Sequence, residues 1–150
     1  MKKSTTKSFQ ETQKLGQNFA REILAMGPKK RAVVLALQGD LGAGKTTFLQ
    51  GFAKGLGMKE VVNSPTFVIL KRFTIKKNNF KNFYHIDCYR LENPQEILDL
   101  GFKEIIANPQ NIVAIEWPEK IAEILPKHNI KIAFKHLEEN KREILISGKK

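Results

Sequence analysis

A glycine-rich segment directly after an apolar run is the feature that most restricts what this chain can fold into. Residues 39–46 read G-D-L-G-A-G-K-T, and the run before them, Ala32–Leu37, is aliphatic. A strand, a tight loop and a helix that begins at a Lys-Thr pair are the parts of a site for nucleoside triphosphates. Because glycine carries no Cβ, such a loop turns tightly and its backbone approaches a polyphosphate closely. The segment therefore predicts a nucleotide-binding P-loop.

The residue types of this loop predict separate tasks. Its main-chain N–H groups form an anion nest, and a helix from about Lys45 to Leu56 adds the positive end of its dipole. Lys45 would reach the β- and γ-phosphates, and the Thr46 hydroxyl is placed to bind Mg²⁺. We expect the nucleotide to be held by Gly39, Leu41, Gly42, Ala43, Gly44, Lys45, Thr46 and Thr47.

Length and composition suit one globular domain over residues 1–150. The chain is long enough to bury a sizeable core, and 41% of its residues are hydrophobic. No apolar stretch approaches the length that crosses a bilayer, and the polar segment Met1–Phe9 does not read as a secretory signal. Cys88 is the only cysteine and has no partner for an internal disulfide. These features favour a cytoplasmic protein without a membrane partner.

The net charge of +11 has two interpretations. A basic chain can bind a polyanion such as RNA. However, 21 of its 26 basic residues are lysines and only 5 are arginines, and they are scattered, as AT-rich coding alone would produce. We therefore expect contact with tRNA to be indirect or weak.

Hydrophobic periodicity predicts helices alternating with strands. We expect helices at 8–26, 45–56, 95–100, 102–107 and 119–125. We expect strands at 31–38, 67–75, 82–87, 112–115, 130–134 and 143–146, with 67–75 and 82–87 pairing as a hairpin. This pattern predicts an α/β fold, a P-loop NTPase-like three-layer domain with a mixed, mostly parallel sheet. Its ligand should lie at the carboxyl ends of the strands.

Two carboxylates at the ends of apolar strands could complete a magnesium site. Asp87 follows the strand F-Y-H-I, and Glu116 follows I-V-A-I. Since Glu116 ends the more continuously apolar strand, we favour it with Thr46 for the metal. Asp87 is then the candidate to position water or act as base. The alternative for either acid is a structural role, capping a turn or pairing with Arg90.

Thr66 follows the P-loop helix, where switch segments commonly lie, and could sense the γ-phosphate or Mg²⁺. A turn in which its hydroxyl caps local backbone is an equally good interpretation. Our candidates for catalysis are therefore Asp87, Lys45 and Thr66.

Three other residues near these motifs favour structural roles. His85 lies inside a strand and is expected to be packed and hydrogen-bonded, and no second His or Cys stands at zinc-ligand spacing. Cys88 is expected to be inert. Trp117 is expected in the core or as a lid over the site.

Four motifs together resemble one family. They are G-D-L-G-A-G-K-T-T at 39–47, S-P-T-F at 64–67, Y-H-I-D-C-Y-R-L at 84–91 and E-W-P-E at 116–119. In this order and spacing they resemble TsaE, also called YjeE, the bacterial ATPases needed to make N6-threonylcarbamoyladenosine in tRNA. The resemblance spans nearly the whole chain.

The resemblance implies a small P-loop domain that binds ATP and Mg²⁺ and hydrolyses ATP slowly by itself. It implies work with the TsaB–TsaD pair, in which TsaD attaches the threonylcarbamoyl group to adenosine 37 of tRNAs that read ANN codons. The family's ATPase resets that assembly and is not the transferase. By motif, the resemblance implies that Lys45 and the loop amides hold the phosphates, and that Thr46 and Glu116 hold Mg²⁺. Asp87 and Thr66 would serve hydrolysis and switching. The segment around Thr12 would approach the adenine. The segment Lys76–Lys81 is more basic and richer in Asn than the family leads us to expect.

Two other functions use the same loop. A small-molecule kinase would add an arginine-rich lid, for which 5 unclustered arginines provide little. A nucleotide-dependent binding switch with negligible hydrolysis is not distinguished from a slow ATPase by the sequence.

Overall fold

The computed structural model describes residues 1–60, 62–63 and 69–148. The strands in this part of the chain are β1 (Lys2–Thr6), β2 (Val33–Gln38), β3 (Leu70–Lys77), β4 (Phe80–Asp87), β5 (Asn111–Glu116), β6 (Ile130–Glu138) and β7 (Lys141–Gly148). The helices are α1 (Phe9–Met26), α2 (Lys45–Gly55), α3 (Gln95–Leu98) and α4 (Phe102–Ala107), with a 3-10 helix at Pro118–Ile121.

The seven described strands form one sheet in the order β1-β7-β6-β2-β5-β4-β3. The four central strands, β6, β2, β5 and β4, are parallel neighbours. The outer pairs β3–β4, β6–β7 and β1–β7 are antiparallel, so five of the seven strands run in one direction. The predicted mixed, mostly parallel α/β sheet is confirmed, and so is the hairpin formed by β3 and β4.

Helices cover both faces of this sheet and make the three layers. Successive side chains of a strand point to opposite faces, and in β2 Val33, Leu35 and Leu37 pack in one core cluster with α1 and α2. Val34 packs on the other face with residues of α3, α4 and the 3-10 helix. Because β2 is buried on both faces, its sequence is a continuous apolar run.

Most predicted elements are present, with small shifts of their ends. Helix α1 begins after Ser8, whose side chain accepts the N–H of Glu11, while the Glu11 carboxylate accepts the N–H of Lys7. The strand predicted at 67–75 is observed from Leu70 to Lys77. The segment 64–68, which contains Thr66, lies outside the described residues.

Two sequence expectations were wrong. The predicted helix 119–125 is a 3-10 helix at Pro118–Ile121 followed by turns, with i→i+3 bonds such as Lys120 N–H to Trp117 O. The segment starts at Trp117, which has positive φ, and its first turn closes with the i→i+3 bonds of a 3-10 helix. Strand β1 was not predicted, because its sequence K-K-S-T-T is polar and it forms only as an edge strand against β7.

Candidate nucleotide site

The P-loop joins the carboxyl end of β2 to the start of α2, as the sequence predicts. Gly44 caps the helix with φ of 106°, a left-handed conformation that favours glycine. At Gly39 a Cβ would stand only 2.9 Å from the carbonyl oxygen of Phe134 in β6. The loop therefore passes close beside β6, and larger side chains are excluded there.

A cleft of about 360 Å³ opens above this loop. Of the residues predicted to bind nucleotide or metal, the cleft is lined by Leu41, Gly42, Gly44, Lys45, Thr46, Thr47 and Glu116. The Ala43 side chain is instead buried beneath the loop. Gly39 contributes its carbonyl oxygen, which accepts a hydrogen bond from the Lys45 ammonium group.

Lys45 is held in an enclosed position. Only 5% of it is exposed, and its Nζ lies 4.0 Å from the ring centroid of Trp117, within the range of a cation–π contact. Burial lowers the pKa of Lys45, while the carboxylates of Glu116 and Asp87 act in the opposite direction. A poorly hydrated ammonium group gains more than an exposed one from an anionic ligand.

Glu116 and Asp87 stand side by side at the carboxyl ends of β5 and β4. Glu116 is buried, and its Oε2 lies 2.6 Å from Nε2 of the fully buried His85. The expected packed, hydrogen-bonded His85 is confirmed, and its partner is the acid favoured for the metal. Such a contact fixes the orientation of a carboxylate ligand.

Asp87 is half-buried and is not among the described residues that line the cleft. The pKa of Asp87 is raised mainly by burial. The Tyr89 N–H donates to Oδ1 at 3.0 Å, and this hydrogen bond acts in the opposite direction and lowers the pKa. The structure thus gives the two acids different positions: Glu116 faces the cleft and Asp87 lies beside it. Their chemical roles stay predictions.

Trp117 adopts an uncommon backbone conformation to reach Lys45. Its φ of 57° and ψ of 51° lie in the left-handed region, which costs about 1–2 kcal/mol for a residue with a Cβ. Its ring also packs against Tyr89, with centroids 5.1 Å apart. The ring covers the ammonium group rather than filling the centre of the core.

Cys88, between Asp87 and Tyr89, is buried. Burial raises the pKa of its thiol to about 12, which agrees with the inert role expected.

Several lining residues come from elements that local motifs do not reveal. Ser8 caps α1, Phe9 and Thr12 lie in its first turn, Asn140 lies in the β6–β7 turn and Arg142 lies at the start of β7. The family resemblance had pointed to the segment around Thr12. No motif marked Arg142, whose Nη2 donates to the carbonyl oxygen of Gly42, 100 residues away in sequence, at 3.2 Å.

The donors around the cleft suit magnesium better than a transition metal. Among the described residues, no group of three His, Cys, Asp or Glu side chains is placed to hold a metal ion. Thr46 and Glu116 offer a hydroxyl and a carboxylate to the same cleft. Mg²⁺ is commonly bound by one or two protein oxygens, substrate phosphates and water, so this pair fits it.

The described helices include none that is long and apolar enough to cross a membrane.

Comparisons with known proteins give a consistent result. A family model described as "Threonylcarbamoyl adenosine biosynthesis protein TsaE" matches residues 6–144. The TsaE protein of Bacillus subtilis is 45% identical over 115 residues, which cover 77% of this chain and 69% of the relative. That of Treponema pallidum is 33% identical over 142 residues, 95% of this chain and 97% of the relative. The crystal structure of Bacillus subtilis YdiB superposes with a TM-score of 0.77 at 33% identity, covering 98% of this chain and 84% of that chain.

Proposed function

Since this chain belongs to the TsaE family of tRNA threonylcarbamoyladenosine biosynthesis proteins, we propose that its cleft binds ATP with Mg²⁺ and hydrolyses it slowly. The observation that carries the proposal is a single cleft lined by the P-loop residues Lys45 and Thr46 and by Glu116. The volume of about 360 Å³ lies within the usual range for a small-ligand site.

Each of these side chains has a task that its surroundings support. Lys45 neutralises phosphate charge from an enclosed position, and the P-loop backbone turns to form an anion nest. Thr46 and Glu116 hold the metal, which when bound neutralises phosphate charge. Asp87 positions the attacking water or accepts its proton, and a raised pKa suits a general base. Thr66 is proposed as the residue that senses the γ-phosphate.

We further propose that the TsaB–TsaD complex is the partner of this ATPase, and that the transfer to adenosine 37 of tRNAs reading ANN codons is carried out there. The rim of the cleft supports a protein partner. Phe9 and Leu41 both line the cleft, and they are 55% and 71% exposed. These two apolar groups at the mouth of the cleft give a protein partner side chains to pack against.

The test is phosphate release from ATP by the full chain with Mg²⁺, alone and with purified TsaB–TsaD. We expect slow release alone and faster release with the pair. Lys45→Ala should bind ATP about 10- to 100-fold more weakly, since a hydrogen bond to a charged group contributes about 1.5–3 kcal/mol. Lys54→Ala is the matched control, because Lys54 is an exposed lysine of the same helix.

The same assay separates the alternatives. Phosphorylation of a metabolite without stimulation by TsaB–TsaD would overturn the ATPase proposal in favour of a kinase. Nucleotide-dependent binding to the pair without phosphate release would show a switch instead. Retained ATP affinity in Lys45→Ala, with thermal melting unchanged, would place the nucleotide elsewhere.

A further inference from the structure

The edge of the sheet opposite the nucleotide cleft carries a concentration of positive charge. Because β2, β4, β5 and β6 run in one direction, the segments that lead into them meet at one edge. We call this the basic edge and define it by seven exposed side chains: Lys29, Lys30, Arg31, Lys76, Lys81, Lys127 and Lys131. The topology therefore brings together cations from segments that lie far apart in the sequence.

Three clefts lie along the basic edge. The first, of about 330 Å³, is lined by Lys29–Arg31, the start of β2 and His128. The second shares His128 and includes Lys127 and Lys131, and the third lies at the β3–β4 turn with Lys76 and Lys81. No Asp or Glu occurs among the described residues that line these three clefts. A surface with cations and no carboxylate in its clefts attracts polyanions.

The β3–β4 turn is fixed in place beside the other two clefts. Asn78 and Asn79 have φ of 50° and 72°, as in a tight type I′ turn. The Asn78 amide donates to the carbonyl oxygen of Leu24 at 2.9 Å, in the last turn of the helix that leads to Lys29. With a strand spacing of about 4.8 Å, β4 lies about 14 Å from β6, so the cations are spread over a broad surface.

We propose that the basic edge binds the phosphate backbone of RNA, and specifically of tRNA. The choice of RNA rests on the family's place in tRNA modification and on the make-up of the first cleft, and not on the proposed ATPase activity. In that cleft a cationic rim surrounds an apolar floor of Ala32, Val33, Val34 and Ile130. Phosphates suit the cations of the rim, while the four apolar side chains of the floor are almost fully buried and leave the cations as the groups that meet a ligand. This is a more direct role for tRNA than composition alone predicts.

The position of the basic edge has a consequence for the order of binding. It lies at the amino ends of the parallel strands, whereas the nucleotide cleft lies at their carboxyl ends. Each ligand therefore leaves the other's contacts free. We expect tRNA and ATP to bind the same molecule together, each with unchanged affinity.

The test is fluorescence anisotropy of labelled tRNA with the full chain, without ATP, over a series of salt concentrations. The triple variant Lys29→Gln, Lys30→Gln and Arg31→Gln should bind about tenfold more weakly, with a salt slope lower by about 2 to 3. The matched control is Lys14→Gln, Lys120→Gln and Lys135→Gln. This control variant removes the same charge from exposed lysines. Its affinity for tRNA should stay within about twofold of that of the parent protein.

The outcomes separate this proposal from the ATPase. Binding of ATP should be equal in the parent protein and both triple variants, which shows that each is folded. Equal weakening of tRNA binding in the two triple variants would overturn the proposed role of the basic edge, since the net charge alone would then determine the affinity for tRNA. Absence of tRNA binding by the parent protein near physiological salt, or stronger binding to phosphatidylserine vesicles than to tRNA, would overturn it as well. Loss of phosphate release has no bearing on these measurements.

Discussion

At the scale of single residues, Glu116 is held in place by His85 at the wall of the cleft. A buried carboxylate without a partner is costly, and His85 supplies that partner through Oε2. Glu116 also lines the cleft. The pair therefore fixes the acid while leaving its second oxygen outside that bond.

Changing Glu116 to Gln tests the metal role without removing the acceptor for His85. The amide oxygen still accepts the Nε2–H, but the negative charge that would strengthen Mg²⁺ binding is lost. We expect the Mg²⁺ concentration for half-maximal phosphate release to rise by about tenfold or more, with a smaller change in nucleotide affinity measured without the metal. Asp87→Asn is the companion variant. If the Mg²⁺ concentration for half-maximal phosphate release changes only in Asp87→Asn, the metal role belongs to Asp87.

Residue-scale prediction from sequence worked where chemistry is local. The P-loop is one continuous segment, so its order alone identified Lys45 and Thr46 as neighbours in a cleft. The partners of these groups come from distant parts of the chain: Arg142 reaches Gly42 from the start of β7. A contact of this kind depends on which strands are adjacent, which a local pattern does not contain.

At the scale of elements, the P-loop helix is positioned by close contact with α1. A Cβ at Gly16 would lie 2.1 Å from the carbonyl oxygen of Phe48, and one at Gly51 would lie 1.8 Å from that of Gln13. Both positions are occupied by glycine because the opposing atoms are backbone, which yields only if a helix moves. The two helices therefore approach more closely than any other residue at these positions allows.

The variant Gly51→Ala should destabilise the fold even though alanine is the better helix former. Overpacking costs about 1–3 kcal/mol, against a gain of up to about 1 kcal/mol in helix propensity. We expect a net loss of about 1–2 kcal/mol in the free energy of unfolding, measured by urea denaturation. Lys54→Ala, at an exposed position of α2, is the control and should change the free energy of unfolding by about 0.5 kcal/mol or less. A melting temperature at or above that of the parent protein in Gly51→Ala would contradict the close helix contact.

Element prediction succeeded where an element carries its own pattern. The amphipathic α1 has a capping residue and a glycine stop, and both ends were predicted. The mixed apolar and charged segment 119–125 suggested a helix, but the chain forms a 3-10 helix at Pro118–Ile121 instead. Strand β1 has no apolar pattern at all and depends on the exposed edge of β7.

At the scale of the whole molecule, the fold separates two chemical surfaces by the direction of its strands. The carboxyl ends carry the acids and the P-loop, and the amino ends carry the basic edge. The sequence predicted the first surface because each of its motifs is a continuous segment of the chain. It did not predict the second, because the cations of that edge lie in segments far apart in sequence that only the strand order brings together.

The stability of the whole fold should also respond to pH through one buried group. Burial raises the pKa of the Cys88 thiol from 9.0 to about 12, so above pH 9 the unfolded chain loses this proton while the folded chain keeps it. The unfolded state then binds fewer protons, and the free energy of unfolding falls as pH rises through this window. Between pH 8 and pH 10 the loss from this group is about 1.4 kcal/mol. Urea unfolding of the parent protein and of Cys88→Ala at both pH values isolates the contribution of the thiol. The cavity left by the missing sulfur lowers the free energy of unfolding by the same amount at each pH. An equal pH response in the two proteins would show that the thiol ionises as readily in the folded state as in the unfolded one.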